Sequence, residues 1–174
     1  MRPRRALKPG AKYHVSARIN RDECILKNGA IKILFLSIVK EARKKYAFTL
    51  DDFCIIDNKV GMILHPGFGA NLSRIMQWIL SVFAIRYNRK KKIHGHVWYD
   101  RFKSRIVDSM TDLHTAFFTL AFMPVEVGLT RKPGIHPFCG LQRIAQNDYS
   151  LLSKPPDQLL PFLRRLLNGR PDRP

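Results

Sequence analysis

The sequence predicts an α+β fold in which strand, helix, strand, strand, helix and strand follow one another and one more helix is added. Three observations carry this. Residues 28–46 and 71–89 repeat apolar side chains at helical spacing. Between them, two short apolar runs (53–56 and 60–64) flank Asp57-Asn58. That pair has turn chemistry, because both side chains tolerate left-handed backbone and bond their own main chain, so the stretch reads as a hairpin. Residues 13–18 and 101–107 alternate with the period of a strand.

The chain has 174 residues, which fits one domain, and 45% of them are hydrophobic, enough for a real core. Its net charge of +18 and pI near 10.4 set the class of partner. Such an excess attracts polyanions, nucleic acid before anionic membrane, although charge supplies attraction and not specificity. Cys24, Cys54 and Cys139 lie far apart with no zinc spacing, which reads as reduced thiols in a cytoplasmic protein. No long apolar run follows the basic start, so no signal peptide is expected. No apolar stretch reaches the ~18 residues of a membrane span, so no membrane partner is expected.

Taken in order, residues 1–12 form a basic arm with Arg2, Arg4, Arg5, Lys8 and Lys12 and no acid. It is either a solvated terminus or a phosphate contact. In the first strand, 13–18, Tyr13, Val15 and Ala17 share one face and His14, Ser16 and Arg18 the other. His14 reads as a structural or ligand-facing polar residue. The first helix buries Ile31, Leu34, Phe35, Ile38, Val39 and Ala42, while Lys40, Arg43, Lys44 and Lys45 complement its C-terminal dipole. The hairpin strands are expected at about 48–56 and 59–65. Asn71 is a candidate N-cap for the second long helix, whose core face holds Leu72, Ile75, Met76, Ile79, Val82 and Phe83, with Trp78 and Tyr87 nearer its edges. That helix ends in Arg86-Tyr87-Asn88-Arg89-Lys90-Lys91-Lys92, a solvated end or a phosphate clamp.

A strand is expected at about 101–107, with Arg101, Lys103 and Arg105 on one face and Phe102, Ser104 and Ile106 on the other. Three cations beside Trp98 and Tyr99 suit single-stranded nucleic acid, which combines phosphate tracking with base stacking. Phe102 reads as core, and Trp98 stays open between the two roles. A third helix spans 111–122 behind Asp108 or Ser109. Beyond 130 the chain is rich in Pro and Gly, with a short helix expected at 159–167 and disorder at 168–174. This order of elements is the ferredoxin-like βαββαβ plan, an antiparallel sheet with helices on one face plus an extra C-terminal helix.

Several stretches resemble one family. Tyr13-His14-Val15 with Arg18, the hairpin 53–66, Gly95-His96 with Trp98, Arg101-Phe102, Ser104 and Arg105, and Pro124-Val125 with Gly128-Leu129 are similar to motifs of the single-tyrosine HUH transposases, in particular the REP-associated tyrosine transposases. The resemblance covers about residues 11–133. It implies DNA cleavage by a tyrosine, helped by Mg or Mn on a His-x-His pair of the second hairpin strand. In this chain those places are Lys59 and Gly61, and Asp112 stands about where the tyrosine belongs. The third helix has no tyrosine, and Tyr149 lies in the tail. His94-Gly95-His96 precedes the signature strand and is not expected to hold metal. Lys59 is either a counter-charge for phosphate or a plain turn residue.

The expected organisation is therefore an arm at 1–12, a transposase-like DNA-binding domain at 13–133 and an irregular extension at 134–174. The expected function is recognition of single-stranded or hairpin DNA without cleavage, with no catalytic residues, no metal and no cofactor. The expected binding residues are Arg18, Arg74, Lys90, Lys91, Lys92, Arg101, Lys103 and Arg105. A homodimer is the alternative to a monomer. The competing readings are an active transposase with unconventional residues and a basic RNA-binding module. Against the latter, no pair of exposed aromatics alternates on a central strand.

Overall fold

The structure, a computed structural model, describes residues 7–20 and 23–169. Arg2, Arg4 and Arg5 of the expected arm lie outside the described residues, as do positions 170–174. Alternation in the first strand produces β1 (Lys12–Arg18), which sits inside a four-stranded antiparallel sheet with β2 (Phe48–Ile55), β3 (Lys59–Pro66) and β4 (Lys103–Val107), in the order β2-β3-β1-β4. This is the ferredoxin-like arrangement the element order predicts. The helices are α1 (Gly29–Lys45), α2 (Leu72–Lys91), α3 (Met110–Glu126), α4 (Gly140–Ala145) and α5 (Leu160–Leu167).

Register decides the two faces of the sheet. Val15 lies opposite Met62, Ser16 opposite Gly61 and Ala17 opposite Val60. Tyr13, Val15, Ala17, Val60, Met62 and Leu64 therefore share one buried face, closed by α1 and α2. Phe35 of α1 meets Phe83 of α2 edge to face at 5.5 Å. Each ring is fully buried, worth about 1.5–3 kcal/mol. Both long helices start on asparagine: Asn28 accepts from the N–H of Ala30 at 2.8 Å and Asn71 from that of Arg74 at 3.1 Å. The opposite face carries His14, Ser16, Arg18, Lys59, Gly61 and Ile63, and α3 packs on it.

Several local expectations change. Asp57 and Asn58 close the hairpin without left-handed backbone, with Ile56 donating to Lys59 O at 3.0 Å. Their carbonyls are held from outside instead, by Leu26 N–H at 3.0 Å and Ile19 N–H at 2.8 Å. Tyr87 is buried and stacks on Phe83. Trp98 belongs to the core, since it packs against Phe35 and Phe83 and its Nε1–H donates to Leu80 O at 2.9 Å. Arg101 precedes β4, because its N–H turns back to Asp100 Oδ1 at 2.7 Å. Lys8 and Lys12 of the expected arm pair with Asp108 and Asp51.

Helix α3 runs past Pro124 to Glu126. It ends where Gly128, at φ 73°, donates to Val125 O and Leu129 to Pro124 O, a pair of bonds that satisfies the last carbonyls. The residues after 133 join the same core through Leu141, Ile144, Leu151, Leu152, Leu159, Phe162, Leu163 and Leu166. They also cover the outer edge of β2: Ile55 N–H donates to Phe138 O at 2.9 Å and Ser153 N–H to Leu50 O at 2.8 Å. Among the described residues no helix is long and apolar enough to cross a membrane.

Candidate nucleic-acid interface

Alternation on β4 puts Lys103 and Arg105 on one face, ~6.7 Å apart, opposite Ser16 and His14 of β1. With Arg101 just before the strand, all three cations are exposed. Arg105 reaches Asp112 at 3.5 Å; Lys103 makes no ion pair with another described residue. The row leads into a cleft of about 490 Å³, lined by Arg18, Lys59, Tyr99, Arg101 and Lys103 together with Asn58, Asp100, Met123 and Glu126. Arg18 ends β1 and Lys59 begins β3, so the register sets them opposite one another. Tyr99 N–H donates to Arg18 O at 3.0 Å, and the Arg18 guanidinium lies 5.9 Å from the centre of the Tyr99 ring. That ring is 68% exposed.

Electrostatics here are one-sided. His14, half-buried beside this face, is pushed down to about 4, first by burial and then by the charges of Lys59 and Arg105, so it is neutral at pH 7. Asp112 is held below the usual carboxylate range, first by the Ser109 hydroxyl, which donates to it at 2.8 Å. In return Asp112 N–H donates to Ser109 Oγ at 3.0 Å, a cap for α3.

The structure thus brings Arg18, Arg101 and Lys103 together and sets Arg105 one step along β4. Lys90, Lys91 and Lys92 are exposed at the end of α2, and the loop that follows returns to the end of β1, where Asn20 N–H donates to Val97 O at 2.8 Å. They stand near the Arg18 end of the sheet. Arg74 stands apart, in the first turn of α2, ~24 Å along the helix axis from Lys90. Lys59, either a phosphate counter-charge or a plain turn residue by sequence, and Tyr99, one of the aromatics beside the basic row, also line the cleft. The pairing of Arg18 with Lys59 is a matter of register, which no local pattern in either strand gives.

The place where related chemistry would seat a metal is built differently. Gly61 offers no donor, and a β-carbon there would lie 2.5 Å from Leu120 Cδ2 and 3.1 Å from Met123 Sδ. Lys59 contributes an ammonium, which has no lone pair to give. His94 and His96 sit in an exposed loop. Among the described residues no three His, Cys, Asp or Glu side chains cluster as a metal site would need. These residues do not fit a divalent cation.

The profile of the IS200-like transposases matches residues 8–116, more than half of the chain. A solved structure described as a REP-associated tyrosine transposase bound to a REP hairpin matches with a TM-score of 0.71 at 15% identity, over 90% of this chain and 92% of that one. A crystal structure described as a candidate transposase from Deinococcus radiodurans matches with a TM-score of 0.49 at 10% identity, over 85% of this chain and 98% of that one. A sequence search of curated proteins finds no match. The first of the two structures shows a shared fold.

Proposed function

From the premise that this chain belongs to the IS200-like transposase family, we propose that it binds single-stranded or hairpin DNA and does not cut it. One observation carries the reading: the cationic row Arg101, Lys103 and Arg105 opens into the cleft of Arg18 and Lys59, on the sheet face where Leu120 fills the place of a ligand side chain at Gly61. The relative that shares this fold is described as holding a hairpin, which supports hairpin DNA as the ligand.

Cleavage in a tyrosine transposase needs a metal to polarise the phosphate and a tyrosine oxygen to take it covalently. This chain offers neither at the corresponding places. Asp112 is spent on capping α3, and α3 contains no tyrosine. What its residues still do is hold phosphate. Lys and Arg on alternate positions of β4 follow a backbone, and the +18 net charge draws the polyanion in.

The test uses labelled hairpin oligonucleotides with and without manganese, run on native and denaturing gels. The expected result is a retained complex on the native gel and no covalent adduct on the denaturing gel. A manganese-dependent adduct would overturn the loss of cleavage. Tighter binding to the same hairpin made of RNA would turn the reading to an RNA ligand.

A further inference from the structure

Resting on that DNA-binding reading, we propose that the cleft takes one unpaired nucleotide of the bound DNA. Its base stacks on Tyr99 and its phosphate rests on Lys59, whose fixed positive charge neutralises the phosphate without a bound cation. Binding of the nucleotide is then independent of metal.

The platform is prepared from beneath. Trp98 is anchored in the core by its bond to Leu80 O and by Phe35 and Phe83, and its backbone bridges Ile19. Tyr99, the next residue, is tied to Arg18 O and turns its ring to solvent. A buried aromatic anchor beside an exposed one gives a rigid surface for a base, and sequence-tolerant stacking of this kind is the common feature of single-strand binding. A cleft of about 490 Å³ lies in the range of small-ligand sites, ~300–1,000 Å³.

The charges complete the argument. Lys59 and Lys103 make no ion pair with another described residue. Two carboxylates, Asp100 and Glu126, also line the cleft, but four cations outnumber them. Lys59 stands at the start of β3, two residues before the closed position at Gly61, so its charge lies on the same sheet face as Gly61. His14 on the same face is kept neutral and adds no competing charge. A lysine can hold a phosphate oxygen as a compact point charge, though it cannot act as a metal does on a scissile bond.

Fluorescence anisotropy with two labelled DNA hairpins tests this, one blunt and one with a short single-stranded extension, each in magnesium and in EDTA at matched ionic strength. The extension should tighten binding about tenfold, within what one stacked base contributes. Tyr99→Ala and Lys59→Met should each remove most of that gain, so that the extended hairpin binds each variant little better than the blunt one does. Tyr99→Phe should keep it, and EDTA should change neither hairpin. Tyr99 is exposed and Lys59 half-buried at a strand end, so these variants should keep the fold of the parent, checked by thermal melting. A gain that survives Tyr99→Ala and Lys59→Met, or one that needs magnesium, would overturn the proposal. If the blunt hairpin binds and the extension adds nothing, the cleft assignment falls alone. If neither hairpin binds, the DNA-binding reading falls and takes this one with it.

Discussion

Gly61 shows how a single position can decide what a site is unable to do. Any side chain there must displace Leu120 Cδ2, 2.5 Å away, from inside a packed layer. Gly61→His should therefore destabilise the fold by about 1–3 kcal/mol, as overpacking does. It should also bring no metal affinity, read as a lower melting temperature that manganese does not raise. The family resemblance made Lys59 and Gly61 visible as positions. The approach of Leu120 was hidden, since it depends on how a helix far along the chain seats on the sheet. Asp52 is a second such residue. Burial, and then Cys139, hold its carboxyl neutral far above the ordinary range, and its Oδ2 has no partner among the described residues. The folded chain keeps a proton that the unfolded chain gives up near pH ~4. Stability then falls as pH rises from there through the folded value, by up to about 1.4 kcal/mol per pH unit. Asp52→Asn, which can still accept from Phe53 N–H, should resist urea better at pH 8 than the parent, with a smaller advantage at pH 5. An advantage that did not grow with pH would count against a neutral carboxyl.

At the scale of elements, β4 is the working strand. Lys103→Glu should weaken hairpin binding and reduce the slope of log K against log salt by about 1, because one phosphate contact is lost. Titration at several salt concentrations measures both. An unchanged slope would remove Lys103 from the interface. The alternation of Arg101, Lys103 and Arg105 was readable, but the strand begins two residues later than the pattern suggested. Asp100 captures the Arg101 N–H and bends the chain there, and short polar side chains compete with strand pairing in just this way. The third helix was likewise readable from its periodicity and its serine cap. The helix runs to Glu126, four residues beyond the expected end at 122. Pro124 leaves Leu120 O without a donor from its own position, and the turn closes where Gly128 and Leu129 donate to Val125 O and Pro124 O.

At the scale of the whole molecule, the basic row and cleft lie at one end of the sheet, while residues after 133 complete its far edge. Helical spacing made the segment near Leu160–Leu167 legible. Its docking was not, because nothing local in Leu141 or Leu151 says which strand it will cover. A chain shortened to end at Pro133 should lose cooperative melting or precipitate, since Cys54 and Leu50 would lose their cover. A soluble, sharply melting short form would show that the sheet closes without the segment. The cover on β2 also has a consequence for synthesis. Leu50 waits for Ser153, a partner about a hundred residues behind it on the ribosome. At ~5–20 residues per second that is roughly 5–20 s of translation during which the strand edge is unmatched. An unmatched edge is a template for a neighbouring chain. The newborn protein therefore passes through a window in which crowded polysomes favour sticking between nascent chains, and slower translation of the last forty residues would widen it.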